Sequence, residues 1–152
     1  MCRVWFLRSL AGVRTVNVLI MGCGRVARIV AESLVNKGHT ITVMDIEEES
    51  FRYLPESPEI TPIIGDGVFD KDLRKAGVEY ADVFVAVDPS DARNALAAQK
   101  ARYVFNTPKV VCHMDDPLRQ QVYSDLGLLT VGPSQVVSDL ILEAIHSSKN
   151  NS

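Results

Sequence analysis

The chain of 152 residues predicts an α/β fold: a doubly wound parallel six-stranded sheet of order 3-2-1-4-5-6. Three observations carry that expectation. Short β-branched runs alternate with helical stretches from Val16 onward, the pattern of βαβ units. The apolar run Val16 to Met21 opens directly into Gly22-Cys23-Gly24-Arg25-Val26-Ala27 and an amphipathic stretch. The next strand then ends in Asp45, about 20 residues past the second glycine.

Taken in order, strands are expected at Val16 to Met21, Thr40 to Asp45, Thr61 to Ile64, Asp82 to Val87, Lys109 to Met114 and Leu129 to Val131. The first helix starts near Arg25, sets Val26, Ile29, Val30 and Leu34 on one face, and stops at Lys37-Gly38. Glu47-Glu48-Glu49 opens a short helix ended by Pro55 and Pro58, where the carboxylates suit the positive end of the helix dipole. Lys71 to Ala76 forms another short helix, stopped by Gly77. A helix from Asp91 to about Val104 carries Ala92, Ala95, Ala97, Ala98 and Ala101, small enough for close approach to the sheet. Pro117 to Leu126 and Ser134 to His146 complete the set, the last with Val137, Leu140, Ile141, Ala144 and Ile145 as its apolar face. The domain reading is an N-terminal extension over 1–15, one nucleotide-binding Rossmann-like unit over 16–146 and a polar tail over 147–152.

Composition narrows the function. A net charge of −3 gives no basic field for a nucleic-acid backbone. Cys2, Cys23 and Cys112 are odd in number and lack metal-ligand spacing, so a reducing cytoplasm is expected, without disulfides or a metal. The longest early apolar run, Val4 to Leu7, is far short of the roughly 20 residues of a membrane span.

The candidate site gathers where strand order reverses, at the carboxyl edge of the sheet. Gly22 allows the sharp turn out of the first strand, and Gly24 lets backbone approach a pyrophosphate. Ala27 stands at a third small position, where helix and sheet pack closely. The N–H groups of the helix opening at Arg25 and Val26, with its positive dipole end, point at the phosphates. A carboxylate at Asp45 suits two ribose hydroxyls and repels a 2′-phosphate, favouring NAD(H) or an adenine nucleotide over NADP. Its alternative role is a solvated strand-end acid. Cys23 sits in the turn as a small packing residue, with redox sensing the lesser alternative. Gly65-Asp66-Gly67 ends the third strand, where Asp66 is able to accept from an adenine amine, although the tripeptide is equally an ordinary turn. Strand four delivers Val87 and Asp88, followed by Ser90 or Asp91 as a helix cap and Asn94 one turn in, facing the cleft. Ile46, beside Asp45, and Gly67 complete the candidate lining. Strand five delivers His113, either a phosphate or sugar contact or a locally bonded ring, and Asp115-Asp116 before Pro117 read as helix capping.

With the glycine turn, Asp45, Gly65-Asp66-Gly67, Ser90-Asp91-x-x-Asn94 and Asp115-Asp116-Pro117 in order, the chain resembles the TrkA-N or RCK N-terminal domain over about Val16 to Ile145. That family regulates conductance of potassium channels and transporters. The resemblance implies Arg25 over the nucleotide phosphates, Asp45 at the adenosine ribose, Asp66 near the adenine, and the Ser90 to Asn94 segment closing the cleft. It further implies a non-enzymatic sensor of NAD(H), AMP, ADP or ATP that forms a homodimer or larger ring. Such a sensor docks on a membrane potassium channel or transporter subunit from the cytoplasmic side. Three positions depart from the family: Ala27 for a third glycine, Asp88 for an uncharged residue, and His113 for a common arginine.

The competing expectation is an enzyme, an NAD-dependent dehydrogenase or a sirohaem-synthase-like domain. Hydride chemistry needs a proton donor and a substrate chamber beside the nicotinamide. None of Tyr53, Tyr80, Tyr103 or Tyr123 is followed four residues later by lysine, and no Ser/His/Asp order stands out.

Overall fold

Val18 and Ile20 turn to one face of the first strand and Leu19 and Met21 to the other, and all four are buried. A strand covered on both sides needs this unbroken apolar run, since the pleat sends alternate side chains to opposite layers. The computed structural model describes residues Arg14 to Ser147. The expected N-terminal extension up to residue 13 and the tail from 148 lie outside the described residues.

The chain runs β1 (Asn17–Met21), α1 (Arg25–Asn36), β2 (Thr40–Asp45), a 3-10 helix (Glu48–Tyr53) and β3 (Ile60–Ile64). It continues through α2 (Asp70–Lys75), a 3-10 turn (Val78–Tyr80), β4 (Val83–Ala86) and α3 (Asp91–Gln99). A π-helical turn (Lys100–Val104) prolongs α3, and β5 (Lys109–His113), α4 (Pro117–Asp125), β6 (Leu129–Val131) and α5 (Pro133–Ser147) follow. All strand pairs are parallel and the order is β3-β2-β1-β4-β5-β6, as the sequence predicts. Leu19 sits level with Thr42 on one side and Phe84 on the other, which aligns the strand ends at one edge.

Two cores flank the sheet. One packs Leu19, Met21, Met44, Leu73, Phe84 and Met114 with Ala95, Ala97 and Ala98 of α3 and Ala101 of the π-helical turn, so the predicted alanine face lies on the sheet except for Ala92, which is exposed. The other packs Val18, Ile20, Ile41 and Val43 with Ala27 and Ala31 of α1. Here the sequence reading needs correction. Val26 and Ile29 are exposed, and α1 buries its alanines instead, with Val30 and Leu34 partly covered. Small residues at the helix start bring it close to the strands, which rotates the larger side chains outward. The predicted apolar face of α5 exists, yet no residue of that helix is buried. Among the described residues no helix is long and apolar enough to cross a membrane.

Candidate functional site

The turn after β1 is determined by one glycine. Gly22 has φ +97°, a region that L side chains avoid, and a Cβ there would lie 2.8 Å from the Asp88 nitrogen and 2.9 Å from the Val87 carbonyl. The loop is therefore pressed against the end of β4. On its other side it is tied to β2: Gly22 N–H donates to the Met44 carbonyl at 2.8 Å, and Cys23 N–H donates to Asp45 Oδ2 at 2.7 Å. Asp45 Oδ1 accepts from Glu47 N–H at 2.9 Å. This carboxylate is a loop clamp with one edge still partly open to water, and not a free surface acid.

Gly24 precedes α1 with extended backbone and no side-chain cap, and the first turn of the helix carries no acidic residue. A Cβ on Gly24 would meet nothing within 4 Å. Gly24, Arg25 and Val26 are exposed. The leading N–H groups of a 12-residue helix thus face open space beside Arg25, the electrostatic arrangement that favours an anion. Cys23, by contrast, is buried, with its thiol donating to the Ser50 carbonyl at 3.2 Å. Burial and the neighbouring Asp45 push its pKa up, against a smaller opposing effect of Arg28. The position is a packed, protonated thiol. Arg28 itself reaches back to the Gly24 carbonyl at 3.3 Å and lies over the Tyr53 ring at 5.0 Å. Ile46, just past Asp45, is exposed at the same edge.

Across the edge, Gly67 lies so close over Met21 that an added Cβ would displace the Met21 sulfur. Asp66 N–H donates to Asp72 Oδ2 at 2.9 Å, while Asp66 Oδ1 accepts from Val68 N–H at 3.1 Å and from Arg93 at 2.8 Å. Burial pushes the Asp66 pKa up, but the bonds from Arg93 and the Val68 N–H outweigh it and hold the carboxyl below its ordinary value. At the end of β4, partly buried Val87 donates to the Met21 carbonyl at 2.8 Å. Asp88 Oδ1 accepts from Ser90 N–H at 2.9 Å, and Asp88 Oδ2 faces Arg93 Nε at 3.3 Å.

Asn94 faces inward and is fully buried, not exposed to the cleft as the sequence reading expected. Its Oδ1 accepts from Asp88 N–H at 2.8 Å, and its Nδ2 donates to the Asp88 carbonyl at 2.7 Å and the His113 carbonyl at 3.2 Å. It staples the ends of β4 and β5. Asp91 does similar work one turn earlier, with its oxygens accepting from Asp115 N–H at 2.8 Å and Asp116 N–H at 3.0 Å. Burial raises the Asp91 pKa, but these two bonds, with Arg119 and His113 nearby, lower it overall. Ser90 is the cap of α3 and Asp116 the cap of α4. His113 Nε2 lies 3.5 Å from Asp115 Oδ1. Asp91, His113 and Asp115 bring one possible ligand atom each within 4.8 Å of one another. Each Asp91 oxygen already accepts one backbone N–H, so this carboxylate ties the start of α3 to the start of α4.

The structure thus assembles Gly22, Gly24, Arg25, Val26, Asp45, Ile46, Asp66, Gly67 and Asp88 around one edge, with Cys23, Val87 and Asn94 behind it and His113 to the side. Sequence reasoning missed Arg93 and Arg28. A signal for Arg93 existed: it is a cation in the first turn of a helix, where the dipole disfavours it.

A parallel sheet of order 3-2-1-4-5-6 with its glycine turn at the switch point defines a Rossmann-like domain. Residues 18–138 match the family model described as the TrkA-N domain, and the chain belongs to that family. It is 40% identical over 130 residues to the Trk system potassium uptake protein TrkA of Streptomyces coelicolor, a match covering 85% of this chain and 58% of that protein. The chain therefore spans little more than half the length of that relative. Among solved structures it is similar to the Kef C-terminal domain of Shewanella denitrificans in its AMP-bound form, with a TM-score of 0.73 and 20% identity, covering 89% of this chain and 83% of that one. It is similar also to the GsuK channel bound to NAD, with a TM-score of 0.64 and 18% identity, covering 86% of this chain and 25% of that one. At such identities the likeness is one of fold.

Proposed function

We propose that this chain is a nucleotide-sensing regulatory domain of a potassium channel or transporter, binding NAD(H) or an adenine nucleotide at the carboxyl edge of its sheet. The observation that carries the reading is the uncapped N-terminus of α1, open above Gly24 and next to Arg25, with Asp45 at the neighbouring strand end. Phosphates meet the free N–H groups and Arg25, the ribose meets Asp45 beside exposed Ile46, and the adenine lies toward Asp66 and Gly67. Val26 and Val87 flank the phosphates, and Cys23 contributes backbone to the turn. Asn94 holds the Asp88 end of β4 in place, and His113 borders the site from β5. Relatives named for potassium uptake, and fold neighbours described as bound to AMP and to NAD, support this assignment.

The domain acts as a sensor without turnover, at the cytoplasmic face of the membrane, through a membrane potassium channel or transporter subunit and through copies of itself. A homodimer or larger ring is expected because α5 presents Val137, Leu140, Ile141, Ala144 and Ile145 along one unburied stripe, a self-complementary seam for a second copy. Ligands then signal only by binding two assembly geometries with unequal affinity.

A thermal-shift survey of NAD(H), NADP(H), AMP, ADP and ATP tests the site. NAD(H) is expected to stabilise more than NADP(H), and equal or stronger stabilisation by NADPH counts against the role of Asp45. Asp45→Asn keeps an acceptor for Cys23 N–H and is expected to weaken nucleotide binding by about 1–3 kcal/mol on calorimetry. Unchanged affinity there assigns Asp45 to the loop alone. Steady NADH oxidation or ATP hydrolysis that survives repurification and disappears in Asp66→Ala would establish an enzyme instead.

A further inference from the structure

The carboxyl edge is acidic where an anionic ligand is expected: Asp66 follows β3, Asp88 follows β4, and the Asp88 backbone lies against the glycine turn. In the sheet those strands are separated by β2 and β1, so the two carboxylates stand on opposite sides of the switch point. One side chain reaches both. Arg93 Nη2 is 2.8 Å and Nη1 3.4 Å from the Asp66 oxygens, and its Nε is 3.3 Å from Asp88 Oδ2. The three side chains retain 30%, 24% and 16% of their exposure, so their charges are screened less than those of a surface pair.

We propose that Arg93 is a specificity-determining residue of the nucleotide site, the counter-charge that lets an edge carrying Asp66 and Asp88 accept a polyanion. The inference rests on the nucleotide reading above. Asp88 carries two obligations already, accepting from Ser90 N–H with one oxygen and from Arg93 with the other. Without the guanidinium, its charge stands uncompensated beside the turn where phosphates are expected, and the penalty grows with each phosphate charge. Arg93 also occupies Asp66, the acceptor expected to meet the adenine amine, so removing the guanidinium frees that acceptor for a neutral nucleoside. The two consequences have opposite sign: binding of phosphates weakens and binding of adenosine does not. That pattern separates an electrostatic role from a merely structural one, which weakens all ligands alike. The Arg93 pKa is raised, chiefly by the Asp66 hydrogen bond, so the side chain stays cationic throughout.

The test is calorimetric affinity for adenosine, AMP, ADP and ATP in the wild-type chain and in Arg93→Gln, Arg93→Lys and Arg93→Gln/Asp88→Asn. In Arg93→Gln the preference for ADP over adenosine is expected to fall about tenfold or more, with ATP affected most. Arg93→Lys keeps most of the preference, and Asp88→Asn in the Gln background restores it. Circular dichroism and melting temperature establish that each variant is folded. An unchanged slope of affinity against ligand charge in folded Arg93→Gln overturns the role of Arg93 while leaving the nucleotide reading intact. Equal weakening of all four ligands, or no rescue by Asp88→Asn, does the same. A wild-type chain that binds none of the four overturns the nucleotide reading and this inference together.

Discussion

The strand β1 and the helix α5 are both rich in apolar side chains, but β1 buries four of its five residues and α5 none of its fifteen. The difference lies in what surrounds them. β1 is hydrogen-bonded on both sides and covered on both faces, so each of its side chains is removed from water within this chain. α5 follows the sheet's last strand, a three-residue edge element, and a polar cavity of about 500 Å³ lined by Gln120, Gln121, Ser124, Ser134 and Gln135 lies between α4 and α5. Apolar content alone therefore does not say whether a segment stabilises its own chain or waits for another surface.

Truncating the buried region has the largest expected effect. Phe84 is fully buried at the centre of the sheet, level with Leu19 on one side and Val110 on the other. Phe84→Ala is expected to cost about 3–5 kcal/mol by urea unfolding, the sum of lost transfer energy and a residual cavity. A cost below about 1 kcal/mol would mean that this core collapses freely, and the contrast with α5 would dissolve.

The legible part of the molecule was that core. Strand boundaries could be read because runs such as Val16 to Met21 and Lys109 to Met114 are β-branched and short, and glycine stops such as Lys37-Gly38 mark where helices end. The orientation of α1 was not legible. Val26, Ile29, Val30 and Leu34 cover a broad arc, and only the tertiary approach of Ala27 and Ala31 decides which sector is buried. In the site, Gly22 and Asp45 were readable from spacing, although the clamp between Asp45 and Cys23 N–H was not. The Arg93 bridge closes over 27 residues of sequence, and the inward turn of Asn94 depends on where β5 ends. Arg93 shows locally only as a cation misplaced in a first helical turn, and the partners of neither side chain have a local signature.

An intermediate effect is expected at Asp91, which joins α3 of the buried half to the start of α4. Its folded pKa lies below the ordinary 3.8, so its contribution to stability is complete above that value and is lost as pH falls through the lower folded one. Asp66 behaves with the same sign. Asp91→Asn leaves one of two backbone N–H groups facing a donor and is expected to cost about 1–3 kcal/mol at pH 7. Unfolding followed from pH 7 into the acid range checks the sign: the gap between wild type and variant should narrow below pH 3.8. A gap that stays constant or widens there would assign the loss to something other than the charged carboxylate.

The smallest effect on the stability of the single chain is expected on α5, and it is the one that defines the comparison. Leu140 is 59% exposed and lies in the middle of the stripe formed with Val137, Ile141 and Ile145. In an isolated copy, Leu140→Asp removes little buried area and should change unfolding free energy by less than about 0.5 kcal/mol. In an assembly through that stripe the same carboxylate would be desolvated without a partner, a cost that dissociates the pair. Light scattering across a concentration series therefore separates the two regions by behaviour. The wild-type chain should associate at least to a dimer and Leu140→Asp should be monomeric, while both unfold alike when dilute. If the wild type is monomeric at every concentration, a second copy is not what covers α5. If Leu140→Asp stays dimeric, the interface lies elsewhere on the chain. If the variant unfolds as readily as Phe84→Ala, α5 belongs to the core after all, and the contrast with β1 is one of degree.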